Sequence, residues 1–182
     1  MDEIWEQTTA RRLLVTVGTR YRHTVCVAER AAAAARVLLP PDAATSVTRA
    51  AWLHDIGYSP ELARTGLHAL DGARWLRDRD VDSFVCDLVA FHTTAYAESM
   101  MRGLSDQLVQ EFSRPDAASL RVLTWADMTS SPTGHPCGVD DRIAEILDRY
   151  PADSPASRAV SAARTELTEI GIAVSGALGS SE

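Results

Sequence analysis

The chain has 182 residues, 46% of them hydrophobic, and a formal net charge of −7. That length and apolar content suit one domain of ordinary size with a real core. The acidic balance excludes a general binder of nucleic-acid polymers, which would carry a basic surface, but leaves room for a small phosphate held by local positive charge.

Helical patterning runs through almost the whole chain. Ile4 to Val17 reads as a first helix and Arg20 to Leu39 as a second, stopped by Pro40-Pro41. Asp42 suits the N-cap of a third helix reaching His54-Asp55, and Gly57 suits the C′ position just past its end. A loop with Pro60 leads to a fourth helix over Leu67 to Arg77. Asp80 or Asp82 caps a fifth, which ends near His92. A polar connection and a short helix from Ser105 to Phe112 follow. Pro115-Asp116 then opens a helix carrying Asp127 near its end.

Thr129 to Gly138, with two prolines and two glycines, reads as a loop. Val139 to Tyr150 forms another helix. Ser154-Pro155 fits the N-cap and N1 of a last one running to about Val174. The pattern therefore predicts a single all-α domain over residues 1–175 and an unstructured tail over 176–182. No strand with a period of two and no internal repeat stands out.

Three widely spaced cysteines, Cys26, Cys86 and Cys137, predict free thiols in a reducing cytoplasm. The start, Met1-Asp2-Glu3-Ile4-Trp5, is acidic and does not read as a signal peptide. The longest apolar stretch, Ala31 to Leu39, is short and contains Arg36, so no membrane span is expected. All 18 basic residues are arginine. No Lys is available as a general base, Schiff-base former or phosphate ligand, and Arg must supply any such electrostatics.

Six potential metal ligands stand out: His23, His54, Asp55, His68, His92 and Asp127. Four of the five histidines belong to this series. At helical spacing His68 aligns with Gly72, Trp75 and Leu76. His92 aligns with Val85, Leu88 and Val89, and Asp127 with Leu120, Leu123 and Thr124. Each of these extends an apolar stripe and should point inward. His23 aligns with Val27 but also with Arg30, a weaker case. A single buried His is usually a hydrogen-bonded core residue. Six such residues on five inward faces are better explained by a shared ion, since unpaired buried polar groups are costly. His135 lies in the Pro/Gly loop outside this pattern and is read as exposed or substrate-adjacent. The four tryptophans are expected in the core.

Arg22-His23-Thr24, Ala51-Trp52-Leu53-His54-Asp55-Ile56-Gly57 and Thr124-Trp125-Ala126-Asp127 together resemble the H…HD…D signature of the HD-domain superfamily of metal-dependent phosphohydrolases. The resemblance covers about Arg20 to Ser131. It implies an HD-domain-like helical bundle with the metal inside the helical core, and His23, His54, Asp55 and Asp127 as ligands of a first ion. His68, in Leu67-His68-Ala69-Leu70-Asp71-Gly72-Ala73, resembles the "H…GA" segment of dinuclear members. His92, in Phe91-His92-Thr93, resembles their following "HH" or "HT" segment. Those two would hold a second ion, with Asp55 bridging. Tyr58 follows the HDIG motif where many relatives have Lys, and no Gly-Tyr-Pro follows His92, so the cyclic-dinucleotide phosphodiesterase type is not supported.

The implied cofactor is one or two divalent transition ions, because mixed imidazole and carboxylate ligands suit Fe, Mn, Co, Ni or Zn better than Ca. The implied reaction is hydrolysis of a phosphate ester or anhydride of a nucleotide or other small phosphorylated metabolite. The metal would lower the pKa of bound water and supply hydroxide, while Asp55 or Asp127 orients that water. Arg20, Arg22 and Arg102 flank the ligand segments and are candidate phosphate contacts. Tyr58, Thr93, Thr94 and Glu98 are candidates to line the pocket. The expected partner is a small phosphorylated substrate, not a nucleic-acid polymer or a membrane, and the oligomeric state stays open. Two alternatives use the same ligands: a diiron oxygenase of the HD type, and a non-catalytic regulatory module with a structural metal.

Overall fold

The computed structural model describes residues 4–180. Ten α-helices follow one another among them: α1 (Trp5–Leu14), α2 (Arg20–Leu38), α3 (Pro41–Leu53), α4 (His68–Arg77), α5 (Ser83–Phe91), α6 (Ala95–Met101), α7 (Ser105–Glu111), α8 (Ala117–Met128), α9 (Val139–Arg149) and α10 (Pro155–Gly179). A 3₁₀ turn, Ile56–Tyr58, lies between α3 and α4. The described residues contain no strand. An isolated antiparallel bridge joins Ser130 to Pro136 in the loop before α9. The all-α expectation is met.

Helix α3 sits at the centre and packs on α1, α2, α5 and α8. Its buried face, Val47, Ala50, Ala51 and Leu53, meets the small face of α2 formed by Ala28, Ala31 and Ala35. Small residues on both sides let helix backbones approach closely, so polar groups at the end of α3 come within reach of side chains from several neighbours. A smaller apolar cluster, Met128, Ile143, Ile146, Val160 and Leu167, seats α9 and α10 against the end of α8.

Several expectations need correction. Asp42 is not the N-cap of α3. Pro40 holds that position with Pro41 at N1, where its fixed φ is already helical, and Asp42 lies in the first turn. Gly57 is not at a C′ position either. Helix α3 ends at Leu53 with His54 as its cap, and Gly57 lies inside the 3₁₀ turn without a positive φ. What requires glycine there is proximity. A Cβ on Gly57 would lie 1.9 Å from the His68 carbonyl oxygen and 2.9 Å from the Gly72 nitrogen. The 3₁₀ turn and α4 therefore touch backbone to backbone.

Asp82, not Asp80, caps α5, accepting from the Phe84 and Val85 amides. The segment expected to be a polar connection contains α6. Residues 176–179, expected to be unstructured, extend α10, and Leu178 packs on the core, which gives the last turn a reason to stay helical. Residues 181–182 of that expected tail, and Met1-Asp2-Glu3, lie outside the described residues. Of the four tryptophans expected in the core, Trp125 is buried and Trp52 and Trp75 are half-buried. Trp5 is 46% exposed and stacks on Trp75. Arg30, which weakened the inward reading of His23, is accommodated by a hydrogen bond to Thr129 Oγ1 and a place over the Trp125 ring.

Candidate metal centre

The six residues converge from five helices. His23 comes from the first turn of α2 and Asp127 from the last turn of α8. His54 caps the C-terminus of α3 and Asp55 follows it. His68 opens α4 and His92 caps the C-terminus of α5. All are buried except His68, which is half-buried.

Two of the histidines are oriented by the same device. His54 Nδ1 donates to the Ala51 carbonyl at 2.8 Å, and His92 Nδ1 donates to the Val89 carbonyl at 2.7 Å. Each bond satisfies a carbonyl in the last turn of a helix, where no intrahelical partner exists. Each also fixes the tautomer, since a neutral imidazole has one hydrogen and that hydrogen is used on Nδ1. Both Nε2 lone pairs are left facing the site. The Nε2 of His54 is fully buried and has no hydrogen-bond partner.

The ligand atoms fall into two groups, each drawn together within 4.8 Å: His23, His54 and Asp127 in one, Asp55, His68 and His92 in the other. The Asp55 carboxylate reaches both. Its Oδ2 is 3.5 Å from His54 Nε2 and 3.9 Å from His23 Nε2, and its Oδ1 is 3.6 Å from His68 Nε2. His23 lies between two acceptors, Asp127 Oδ1 at 3.0 Å and the Ser131 carbonyl at 3.3 Å. With its hydrogen on Nε2, His23 donates to Asp127; with it on Nδ1 for Ser131, the Nε2 lone pair turns to the carboxylate, and an ion bound by both would complete the arrangement. The orphaned His54 Nε2 and the converging lone pairs fit a divalent transition ion, and the mixed imidazole and carboxylate set suits that class.

Electrostatics keep the carboxylates ionised. Burial alone would raise the Asp55 pKa, but Arg20 and then His54, His23 and His68 overcome it, and the carboxyl sits far below the usual range. Asp127 behaves alike: burial opposes ionisation, while the His23 hydrogen bond and the charges of His23, His54 and Arg142 hold it well below its ordinary value. Burial pushes His68 and His92 down, aided at His68 by His92 and at His92 by His54.

The site opens into a narrow cleft of about 60 Å³. Of the candidate substrate contacts, the structure brings Arg20, Tyr58 and Thr93 to this cleft. Arg20 Nη1 donates to Asp55 Oδ2 at 2.8 Å and Nη2 to the Tyr150 hydroxyl at 3.1 Å, while its guanidinium covers the Tyr58 ring at 3.8 Å. Tyr58 stacks on His68, ring centroids 4.0 Å apart. Burial, which outweighs the pull of Arg20, raises the Tyr58 pKa well above its ordinary value and keeps the phenol protonated. Thr93 donates its hydroxyl to Asp127 Oδ2. Its φ of 51° is costly for a β-branched residue, so a local strain accompanies that contact.

Arg22 and Arg102 do not line the cleft. Arg22 is exposed, and its carbonyl lies against Gly134. Arg102 instead holds Glu98, a buried residue of the cleft wall, with Nε to Oε1 at 2.8 Å. Both flank ligands in sequence, but a neighbour on a helix points elsewhere. Thr94 and Glu98 do line the cleft, and His135 is exposed as expected.

Sequence reasoning missed the opposite wall. Arg142, Ile146 and Arg149 of α9, and Tyr150 after it, face the ligands. A signal existed: Arg142, Ile146 and Arg149 share one helical face beside the buried Ile143, so an arginine occupies a core-facing row.

A helical bundle that walls a histidine and aspartate cluster into its core could hold a metal ion there. Residues 20–131 match the HD domain family model, and the chain belongs to that family, a superfamily of metal-dependent phosphohydrolases. No curated protein and no solved structure matches the chain. No helix among the described residues is long and apolar enough to cross a membrane.

Proposed function

We propose that the chain is a metal-dependent phosphohydrolase acting on a phosphate ester or anhydride of a nucleotide or other small phosphorylated metabolite. The observation that carries this reading is the buried Asp55 carboxylate, which faces both ligand groups and borders an arginine-lined cleft. In this reading His23, His54, Asp55 and Asp127 would hold a first ion, and His68 and His92, with Asp55, would hold a second. Such ions, when bound, activate water and neutralise charge developing on phosphorus.

The protein's own groups do the rest. Arg20 fixes the Asp55 carboxylate in place through Oδ2. Asp127, held ionised and steadied by the Thr93 hydroxyl, accepts a hydrogen bond and orients the attacking water; its depressed pKa makes it a poor store for a proton. Tyr58 stays protonated, so its hydroxyl can donate a hydrogen bond but cannot serve as a base. A cleft of about 60 Å³ holds a few waters or a phosphoryl group, far short of the ~300 Å³ at which whole-ligand pockets begin. It therefore suits a substrate whose reacting group enters while the remainder stays at the mouth.

The test pairs elemental analysis of the purified protein with a screen of phosphate esters and nucleotides in the presence of Mn, Fe, Co or Ni. Asp55→Ala should lose metal and turnover together. Turnover that persists in metal-free protein defeats the reading. Oxygen consumption by the iron-loaded protein without phosphate release assigns the oxygenase alternative instead.

A further inference from the structure

Helix α9 lies beyond the matched residues 20–131, yet it forms a wall of the cleft. Its Arg142 is only 4% exposed. A guanidinium that deep should have its N–H groups satisfied. Arg142 does not. Nη1 donates to Glu145, Nη2 comes no closer than 4.0 Å to Asp127 Oδ1, and Nε is buried without any partner. Nε and Nη2 share one edge of the guanidinium, the edge that takes two oxygens of a carboxylate or phosphate side by side. The edge without an acceptor thus lies beside a carboxylate of the metal centre.

The other edge is anchored. Glu145 takes Arg142 Nη1 and is itself held by Arg149 from the following turn. Two arginines against one carboxylate leave this wall with net positive charge. An apolar substrate group would leave the Arg142 edge unsatisfied, and a cationic one would be repelled.

We infer that Arg142 is the oxyanion-binding residue of the cleft: its Nε and Nη2 take two oxygens of a tetrahedral phosphoryl group, and Glu145 is the positioning residue that aims them. This rests on the phosphohydrolase reading and assigns substrate recognition to a helix outside the family segment.

The probe is inorganic phosphate, titrated calorimetrically into the metal-loaded full chain, with metal content measured on every sample. Arg142→Gln should weaken phosphate binding by about tenfold or more, the value of one to two charge-assisted hydrogen bonds, with metal content unchanged. Arg142→Lys should weaken it nearly as much, because an ammonium keeps the charge but lacks the edge. Should the Gln variant fail to fold, the Lys variant decides alone. Phosphate affinity within about twofold of the wild type overturns the inference. So does loss of metal together with phosphate affinity, which would make Arg142 a support for Asp127. If wild-type protein hydrolyses phosphate esters while the Arg142 variants still bind phosphate, only this inference fails. If wild-type protein neither hydrolyses esters nor binds phosphate, the hydrolase reading fails with it.

Discussion

The Nε2 atoms of His68 and His92 face each other at 3.1 Å. Because His92 spends its hydrogen on the Val89 carbonyl, its Nε2 can only accept. Two imidazolium rings cannot coexist at that distance in a buried site, and both pKa values are indeed displaced downward. The pair is therefore neutral at pH 7, the protonation state a metal requires. His68→Ala is expected to lower bound metal by one equivalent relative to the wild type while sparing the other. Asp55→Ala should release both. Elemental analysis of the two variants checks this, and equal metal content in His68→Ala and wild type counts against a second ion.

The same displaced histidines set an acid limit for the metal-free protein. Their folded-state pKa values lie below the unfolded value of about 6.5, so under acid the unfolded chain binds protons that the folded site refuses. Their contribution is complete above about pH 6.5 and is lost as the pH falls below it. Asp55 and Asp127 have the same sign, and their loss begins only below their ordinary carboxylate value of 3.8. Urea midpoints of metal-free protein at pH 8, 6 and 5 should decline over the lower interval. A flat profile would argue that the histidines are not buried neutral.

Gly57→Ala should be severe for so small a change. The added carbon meets backbone atoms of His68 and Gly72, which cannot swing aside as a side chain would. Overpacking commonly costs ~1–3 kcal/mol, and a backbone collision belongs at the upper end of that range or beyond. A lowered melting temperature with weakened binding of the ion at His68 is expected. Unchanged values for both would contradict the close approach.

Asp71 supports the centre from behind. Its buried carboxylate accepts from the Arg64 amide at 2.9 Å, from the Thr65 amide at 3.0 Å and from the Thr65 hydroxyl at 2.9 Å, which shapes the loop entering α4 at His68. Asp71→Ala strands those donors and should destabilise the fold by about 2–3 kcal/mol. Chemical denaturation measures the loss. A companion drop in metal content distinguishes this residue from an ordinary loop support.

Much of this was legible in the sequence because the ligands sit on apolar helical stripes. The rows Val85, Leu88, Val89, His92 and Leu120, Leu123, Thr124, Asp127 told which way each side chain points. The ends of the helices were read less well. Asp42 has the chemistry of a cap but loses the position to Pro41, and Gly57 looks like a helix stop although it serves a contact with a segment eleven residues away. Arg142 was hidden because Glu145 three residues on reads as an exposed helix pair; only the tertiary packing of α9 against α8 shows that the guanidinium is buried. Arg22 and Arg102 failed for the opposite reason: closeness along the chain says nothing about direction in space.

Every candidate ligand lies between residues 23 and 127, while α9 and the start of α10 wall the cleft from beyond residue 131. The segment that would hold the ions, which also supplies Arg20, Tyr58 and Thr93 to the cleft, and the segment that adds its opposite wall are consecutive along the chain. Exchanging one helical hairpin between relatives could then redirect substrate choice while the ion-holding machinery stays as it is.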